Sequence, residues 1–439
     1  MPFSVGVNNA VIVSGHNRYV PFVGSLGVED GKIAWIGERK LSSGDAALVV
    51  DGAGKILMPG LINGHCHGDM TLAKGLGDGL TLPEQGEAFA DTNWFHTLIT
   101  DEDRFWSRQL TYVEALLSGT TFLLENMYWS LGEESVRAMT EVGIRGGLVE
   151  DIHADFADPD TLVSGEMLRS FCEACLEADL VPVVAGPSEE GYDAWRVAAW
   201  MEKTSGLPCM RTCHLAENTY RLGLIRRRYD ATPVGWLEGE KALDSRLIGS
   251  HVVQVNDEDI ALLAGRGVRV VNTPLCEMKI ADGAAPIAKM VKAGVTVGLG
   301  TDGALWNNSS DIFREMKGMM LLSTLSSGIR SLETRDVLDM ATAKGAEVFG
   351  RGDRCGTLEP GKDADFILVD ATAPHMRPLR LGSHENITSQ LVFCATGRDV
   401  TDVFIGGRRV VENRHVTTVD VEKIIRRVEE ASARIGEAL

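Results

Sequence analysis

The stretch "MPGLINGHCHGDM", residues 58–70, carries an apolar run straight into a His-x-His pair, with Gly64 before it and Gly68 after it. An apolar run that stops at chemically active side chains reads as a strand buried on both faces and ending at a site. Seven further runs of this kind follow: "TTFLLEN", "RGGLVED", "LVPVVAGP", "PCMRTCH", "RLIGSH", "VRVVNTP" and "VTVGLGTD". Segments of helical period lie between them, among them "DEDRFWSRQLTYVEALLSG" and "TRDVLDMATAKGAEVFG". Eight strand-and-helix repeats predict a (β/α)8 TIM barrel over 58–355. Residues 1–57 and 356–420 instead read as short strands separated by turn residues, so the two ends are expected to build one composite β-sandwich. A helix is expected over 421–439.

Composition narrows the function. The 439-residue chain has a formal net charge of -19, which repels phosphate backbones and anionic membrane surfaces, so neither nucleic acid nor membrane is an expected partner. The first residues lack the basic flank of a signal peptide, and no run of about 18 apolar residues occurs. A soluble, cytoplasmic protein is expected. Eight cysteines in so long a chain are expected to be reduced, and the CxxC of Cys172 and Cys175 falls on a helix-like apolar pattern without a second pair.

Barrel chemistry sits at the C-terminal ends of the strands. Here those ends carry His65 and His67, Asn126, Glu150 and Asp151, His214, His251, and Asp302. Side chains two apart on a strand share a face, so His65 and His67 can converge on one ion. His214 and Asp302 add a third imidazole and a carboxylate, a set that suits Zn2+ or Fe2+ with room for a water. Glu217, three residues after His214, is placed to shuttle a proton, and His251 to hydrogen-bond the attacking oxygen or polarise the substrate.

The motifs "PGLINGHCHGDMTLAKGLGDGLTLPE", "CHLAEN", "GSHVVQVNDEDI" and "AAPIAKMVKAGVTVGLGTDG", in this order, resemble the amidohydrolase superfamily. The likeness is to its branch of triazine hydrolases and adenosine-type or guanine-type deaminases. It extends into "GTLEPGKDADFILVD", which is similar to the family's return into the composite β unit. The resemblance implies one metal held by His65, His67, His214 and Asp302, with Glu217, His251 and Asp302 catalytic, and a homo-oligomer, dimer or tetramer. Binuclear relatives use a carboxylated lysine near the fourth strand, but from Phe122 to Cys213 the only lysine is Lys203, in a helical segment. The expected reaction is attack of a metal-bound hydroxide on a ring carbon bearing an amino group, releasing ammonia from a purine, nucleoside, pterin, pyrimidine or triazine. Glu217 would protonate the ring nitrogen and Asp302 take the second proton of the water. Dechlorination or N-dealkylation of a triazine, or opening of a cyclic amide, would use the same site.

Substrate contacts are expected from Glu84, which aligns with a glutamate that relatives use on ribose hydroxyls, from Trp129 and Trp306 stacking on a flat ring, and from Arg145 and His153. Two stretches depart from the family pattern: residues 85–95, and 274–280, where Cys276 and Glu277 replace Ser-Asn and are expected to border the pocket.

Overall fold

Five strands come first in the computed structural model, which describes residues 3–15, 20–90, 97–126, 133–153 and 160–438. They are β1 (Phe3–Ile12), β2 (Phe22–Glu29), β3 (Lys32–Gly37), β4 (Ala46–Asp51) and β5 (Lys55–Pro59). β1 pairs antiparallel with β2, and on its other edge pairs in parallel first with β4 and then, at Val11 and Ile12, with β5. A bulge between these partners, with Asn9 at φ 59°, turns β1 from one to the other.

The eight apolar runs form the barrel strands: β6 (Leu61–Cys66), β7 (Thr120–Asn126), β8 (Arg145–Asp151), β9 (Val181–Ala185), β10 (Met210–Leu215), β11 (Leu247–His251), β12 (Arg269–Asn272) and β13 (Val297–Leu299). Each is parallel to the next in sequence order. The chain then returns through β14 (Phe366–Asp370), β15 (Val400–Ile405), β16 (Arg408–Glu412) and β17 (His415–Val416). β14 lies antiparallel along β5, from Phe366 opposite Pro59 to Asp370 opposite Lys55. The two ends of the chain thus share one nine-stranded mixed sheet, as expected.

The passage between sheets falls at Gly60 rather than after residue 57, because β5 still belongs to the outer sheet. Only glycine fits at the crossing: a Cβ on residue 60 would come within 2.0 Å of the Thr121 hydroxyl. Helix Val421–Ala438 closes the chain and packs on helix Asp101–Leu117, where Arg434 pairs with Asp103. Asp103 also completes a capping box with Thr100 that fixes where the earlier helix starts. Among the described residues no helix is long and apolar enough to cross a membrane.

Alternation along the strands divides the barrel into layers. Phe122, Leu124, Val149, Val183, Ile248 and Val271 fill the lower interior, against Val348 and Phe349 at the end of helix Ala343–Val348. Leu123, Leu148, Val184, Leu215 and Val270 face outward to the helices. Toward the C-terminal ends the inward positions become polar: Asn126, Thr212, His214 and Ser250. The apolar plug is the floor on which the polar layer stands.

β6 and β13 stand at the two ends of this ladder. They are joined by a few bonds: Asn63 Nδ2 donates to Thr301 Oγ1 (2.8 Å), Asn63 Oδ1 accepts from Thr301 N (3.1 Å), and the His65 carbonyl accepts from Thr301 N (3.0 Å) and Asp302 N (2.9 Å). Gly300 lets the strands approach, since a Cβ there would sit 2.8 Å from His65 N. Asn63 is fully buried. Asn63→Ala would leave the Thr301 hydroxyl oxygen without this donor, and remove an acceptor from Thr301 N, in a dry seam, so we expect a loss of about 2 kcal/mol, read as a lower thermal midpoint. An unchanged midpoint would show that the side chain does not help to close the barrel.

Candidate active site

β6, β10, β11 and the residues following β13 bring five side chains to one mouth. His65, His67 and His214 place ligand atoms within 4.8 Å of one another, and His65, His251 and Asp302 do the same. Asp302 Oδ1 lies 3.5 Å from His65 Nε2 and 3.6 Å from His67 Nε2. The His65 ring stands edge-on to those of His67 and His214, with centroids 5.0 and 5.1 Å away. A cleft of about 370 Å3 opens over this cluster, lined by His67, Asn126, His214, Glu217, Asp302 and Trp306 among others.

The outer nitrogens of His65 and His251 fix their rings, while Asn126 meets His67 on the nitrogen that faces Asp302. His65 Nδ1 is 3.0 Å from Ser250 Oγ, His251 Nδ1 is 2.9 Å from Thr273 Oγ1, and Asn126 Nδ2 donates to His67 Nε2 at 3.3 Å. Burial and the neighbouring His65 bring His67 down to about 3. Burial, with the surrounding histidines, puts His214 well below the usual imidazole range, and burial lowers His251 too. Neutral rings are what metal ligation requires. Burial alone would raise the Asp302 carboxyl, yet the close approach of His65, with His251 and His67 behind, holds it well below the carboxylate range.

His65 Nε2 and His251 Nε2 are buried without a hydrogen-bond partner among the described residues. Buried polar atoms pointing at one spot, backed by hydroxyls that set the tautomer, fit a divalent ion better than a packed core. The donor set of three imidazoles and one carboxylate matches a zinc-class site with an open position.

Backbone strain accompanies the site. Ala216 after β10, His251 ending β11 and Asp302 after β13 all adopt positive φ, at 49°, 70° and 62°. For residues with a Cβ this costs of order 1 kcal/mol or more each, and it turns the chain sharply at three strand ends that present functional groups. Asp302 is held further by Gly303 N (2.8 Å, to Oδ1) and by the Cys276 thiol, which donates to Oδ2 at 2.9 Å. Glu217, 3% exposed, pairs with Arg221 one helical turn later, and Arg221 Nε donates to Glu190 at 2.9 Å.

Behind β6 lies a buried ionic brace. Glu125 accepts from Gly68 N at 3.0 Å and from Arg108 Nε at 3.2 Å, while Arg108 also reaches Asp69 at 3.2 Å. This ties the turn that follows His67 to β7. Burial pushes Glu125 up to about 8, against the pull of Arg108.

The expected residues divide into those the fold gathers and those it does not. His65, His67, His214, Glu217, His251 and Asp302 come together. His153 lies on the cleft wall with Nδ1 2.8 Å from Asp151, and Trp306 lies there with its Nε1 donating to Gln85 at 2.9 Å. Glu84 is exposed, does not line the cleft, and caps its own helix by accepting from Thr81 N and Oγ1 at 2.8 and 2.7 Å. Arg145 does not join the site at all: it begins β8, so it lies at the opposite end of the barrel, paired with Asp179 (2.7 Å) and Asp365 (3.0 Å). Trp129 and residues 91–96 lie outside the described residues. Cys276 and Glu277 do not border the cleft but stand behind it. Glu277 is fully buried, accepts from Asn272 Nδ2 at 2.6 Å, and lies 4.0 Å from His251 Nδ1. Sequence reasoning missed Ser250, Thr273 and Arg221. Only Arg221 left a signal, its spacing of four from Glu217 at the start of a helix.

A model of the Amidohydrolase family matches residues 211–410. The chain is 34% identical over 431 residues to a 5-methylthioadenosine/S-adenosylhomocysteine deaminase of Desulforudis audaxviator, covering 95% of this chain and 96% of that one. It is 32% identical over 421 residues to a 5'-deoxyadenosine deaminase of Methanosarcina mazei, covering 94% and 93%. Among solved structures it resembles a zinc-bound adenosine deaminase from Xanthomonas campestris, with TM-score 0.88, 24% identity and 99% of both chains covered. It also resembles an atrazine chlorohydrolase from Arthrobacter aurescens, with TM-score 0.82, 21% identity and 98% and 100% covered.

Metal analysis of purified variants checks the donor set. We expect His214→Ala and Asp302→Ala to lose bound zinc, and Ser250→Ala to keep it with affinity about 10- to 100-fold weaker. Full metal content in either ligand variant would remove that residue from the set.

Proposed function

This chain belongs to the amidohydrolase family, and from that premise we propose that it is a zinc-dependent hydrolytic deaminase of adenosine-type nucleosides, releasing ammonia from the purine 6-position. As a family member with deaminase relatives it is a hydrolase acting on carbon–nitrogen bonds. The observation that carries the finer reading is the placement of Glu217 on the wall of the cleft that opens over His65, His67, His214 and Asp302. That arrangement occurs in a chain whose relatives across more than nine-tenths of its length are named as deaminases of adenosine derivatives.

His65, His67, His214 and Asp302 would hold the ion. When bound, such an ion lowers the pKa of a coordinated water from 15.7 to about 7 and so supplies a nucleophile at neutral pH. The remaining steps belong to the chain. Arg221 fixes one Glu217 oxygen, leaving the other to take the water's first proton and deliver it to the ring nitrogen beside the attacked carbon, which draws electrons away from that carbon. His251, held by Thr273, offers its unpartnered Nε2 to the attacking oxygen. Asp302, kept ionised, accepts the water's second proton and passes it to the leaving amine, so that water is consumed and ammonia released in balance. Trp306 and His153 wall the cleft at positions where a heterocycle can pack.

Glu217→Gln preserves shape but removes the proton carrier, so we expect zinc retained and kcat lowered by about 10^3-fold or more. A nearly active variant would overturn the role. A panel of adenosine, 5'-deoxyadenosine, 5-methylthioadenosine, S-adenosylhomocysteine, guanine, cytosine and chlorotriazines, assayed for ammonia and chloride, tests the substrate class. Chloride release, or ammonia from cytosine alone, would overturn the nucleoside reading.

A further inference from the structure

At the opposite end of the barrel the starts of β9, β10 and β12, with the turn before β11, surround a groove of about 410 Å3. Three arginines line it, Arg246, Arg269 and Arg351, and no aspartate or glutamate does. In a chain of net charge -19 such a concentration of positive charge is not a by-product of composition.

The three guanidinium groups are incompletely neutralised. Arg246 Nη1 donates to the carbonyls of Thr204 and Leu207 at 3.4 Å, and Arg269 Nη1 to the carbonyl of Val348 at 2.9 Å. Neither has a carboxylate oxygen within 4.0 Å among the described residues. Arg351 reaches Asp179 at 3.4 Å, but Asp179 also serves Arg145 and Arg354. Burial draws Arg269 below the usual arginine range, opposed only by the field of Glu347, which is itself paired with Lys344 at 2.7 Å. Half-buried cations that spend one edge on neutral carbonyls keep further N–H donors for another acceptor.

We propose that this groove binds a doubly charged tetrahedral oxyanion, either inorganic phosphate or the phosphate monoester of a small metabolite. The chemistry is that of the arginine fork, which pairs two N–H donors with two oxygens of one anion. Three such groups and no carboxylate match a dianion better than a single carboxylate. The site stands at the N-terminal face of the barrel, where residues govern stability rather than chemistry. Its ligand therefore acts on the folded state, by binding it and not the unfolded chain.

The test is a thermal melt of the zinc-loaded protein in phosphate, in glycerol phosphate, in acetate and in chloride at matched ionic strength. Phosphate or glycerol phosphate is expected to raise the midpoint by about 2 °C over chloride, with acetate below both and kcat unchanged. The larger of the two shifts identifies the free ion or the ester as the ligand. Arg246→Gln combined with Arg269→Gln is expected to abolish the rise. Should that double variant not fold, Ser245→Glu sets a negative charge at the exposed lip of the groove, removes no arginine, and is expected to abolish the rise as well. A midpoint no higher in phosphate or its ester than in chloride overturns the proposal. So does a rise that survives Ser245→Glu, which would place the anion at the catalytic mouth.

Discussion

The seam between β6 and β13 is the constraint on which the rest depends. The carbonyl of His65 accepts the backbone N–H groups of Thr301 and Asp302, so the same bonds that close the barrel set a histidine and a carboxylate of the proposed donor set side by side. These residues are more than 230 positions apart in sequence, and nothing local brings them together. Closure and site assembly are one event. A barrel left open at this seam would keep the His-x-His pair but lose its acidic partner.

Electrostatics inside the mouth are arranged by burial more than by pairing. Desolvation lowers His67 and His214 toward the neutral ring, while Asp302, against its own burial, is held low by His65 beside it. Carboxyls one layer further back go the other way: burial pushes Glu277 up to about 8 and Glu315 to about 8, only partly offset by the N–H donors they face. Acids of one chemical type thus diverge with their surroundings, one held toward the ionised form at the mouth and two pushed toward the neutral form behind it.

Much of this was legible in the sequence because the signals were periodic or paired. Eight apolar runs ending in active side chains marked the barrel, and six residues at or just after strand ends marked the mouth. What escaped has physical reasons. Arg145 sits in the third run, but at its beginning, and a strand's two ends lie at opposite faces of the barrel; position in the run decided what residue type alone did not. Glu84 had an aligned partner in relatives, yet its carboxylate is occupied by Thr81 as a helix cap. Cys276 and Glu277 follow a strand end, which in the sequence makes them candidates for the pocket rim. The short helix Pro274–Lys279 folds them behind the wall, where they support Asp302 and His251. Ser250 and Thr273, ordinary hydroxyls, carry no mark until the histidines they touch are placed.

The pairing of β5 with β14 has a consequence for the chain as it is made. β5 exposes Ile56, Leu57 and Met58 along an open hydrogen-bonding edge until Phe366 to Asp370 arrive, about 300 residues later in synthesis. Throughout that interval the nascent chain presents a bare apolar strand, the kind of surface that pairs with any neighbour. The ribosome delivers the whole barrel before the outer sheet can be sealed. The last fifth of the polypeptide is therefore not an appendage but the part that makes the earlier product safe from aggregation.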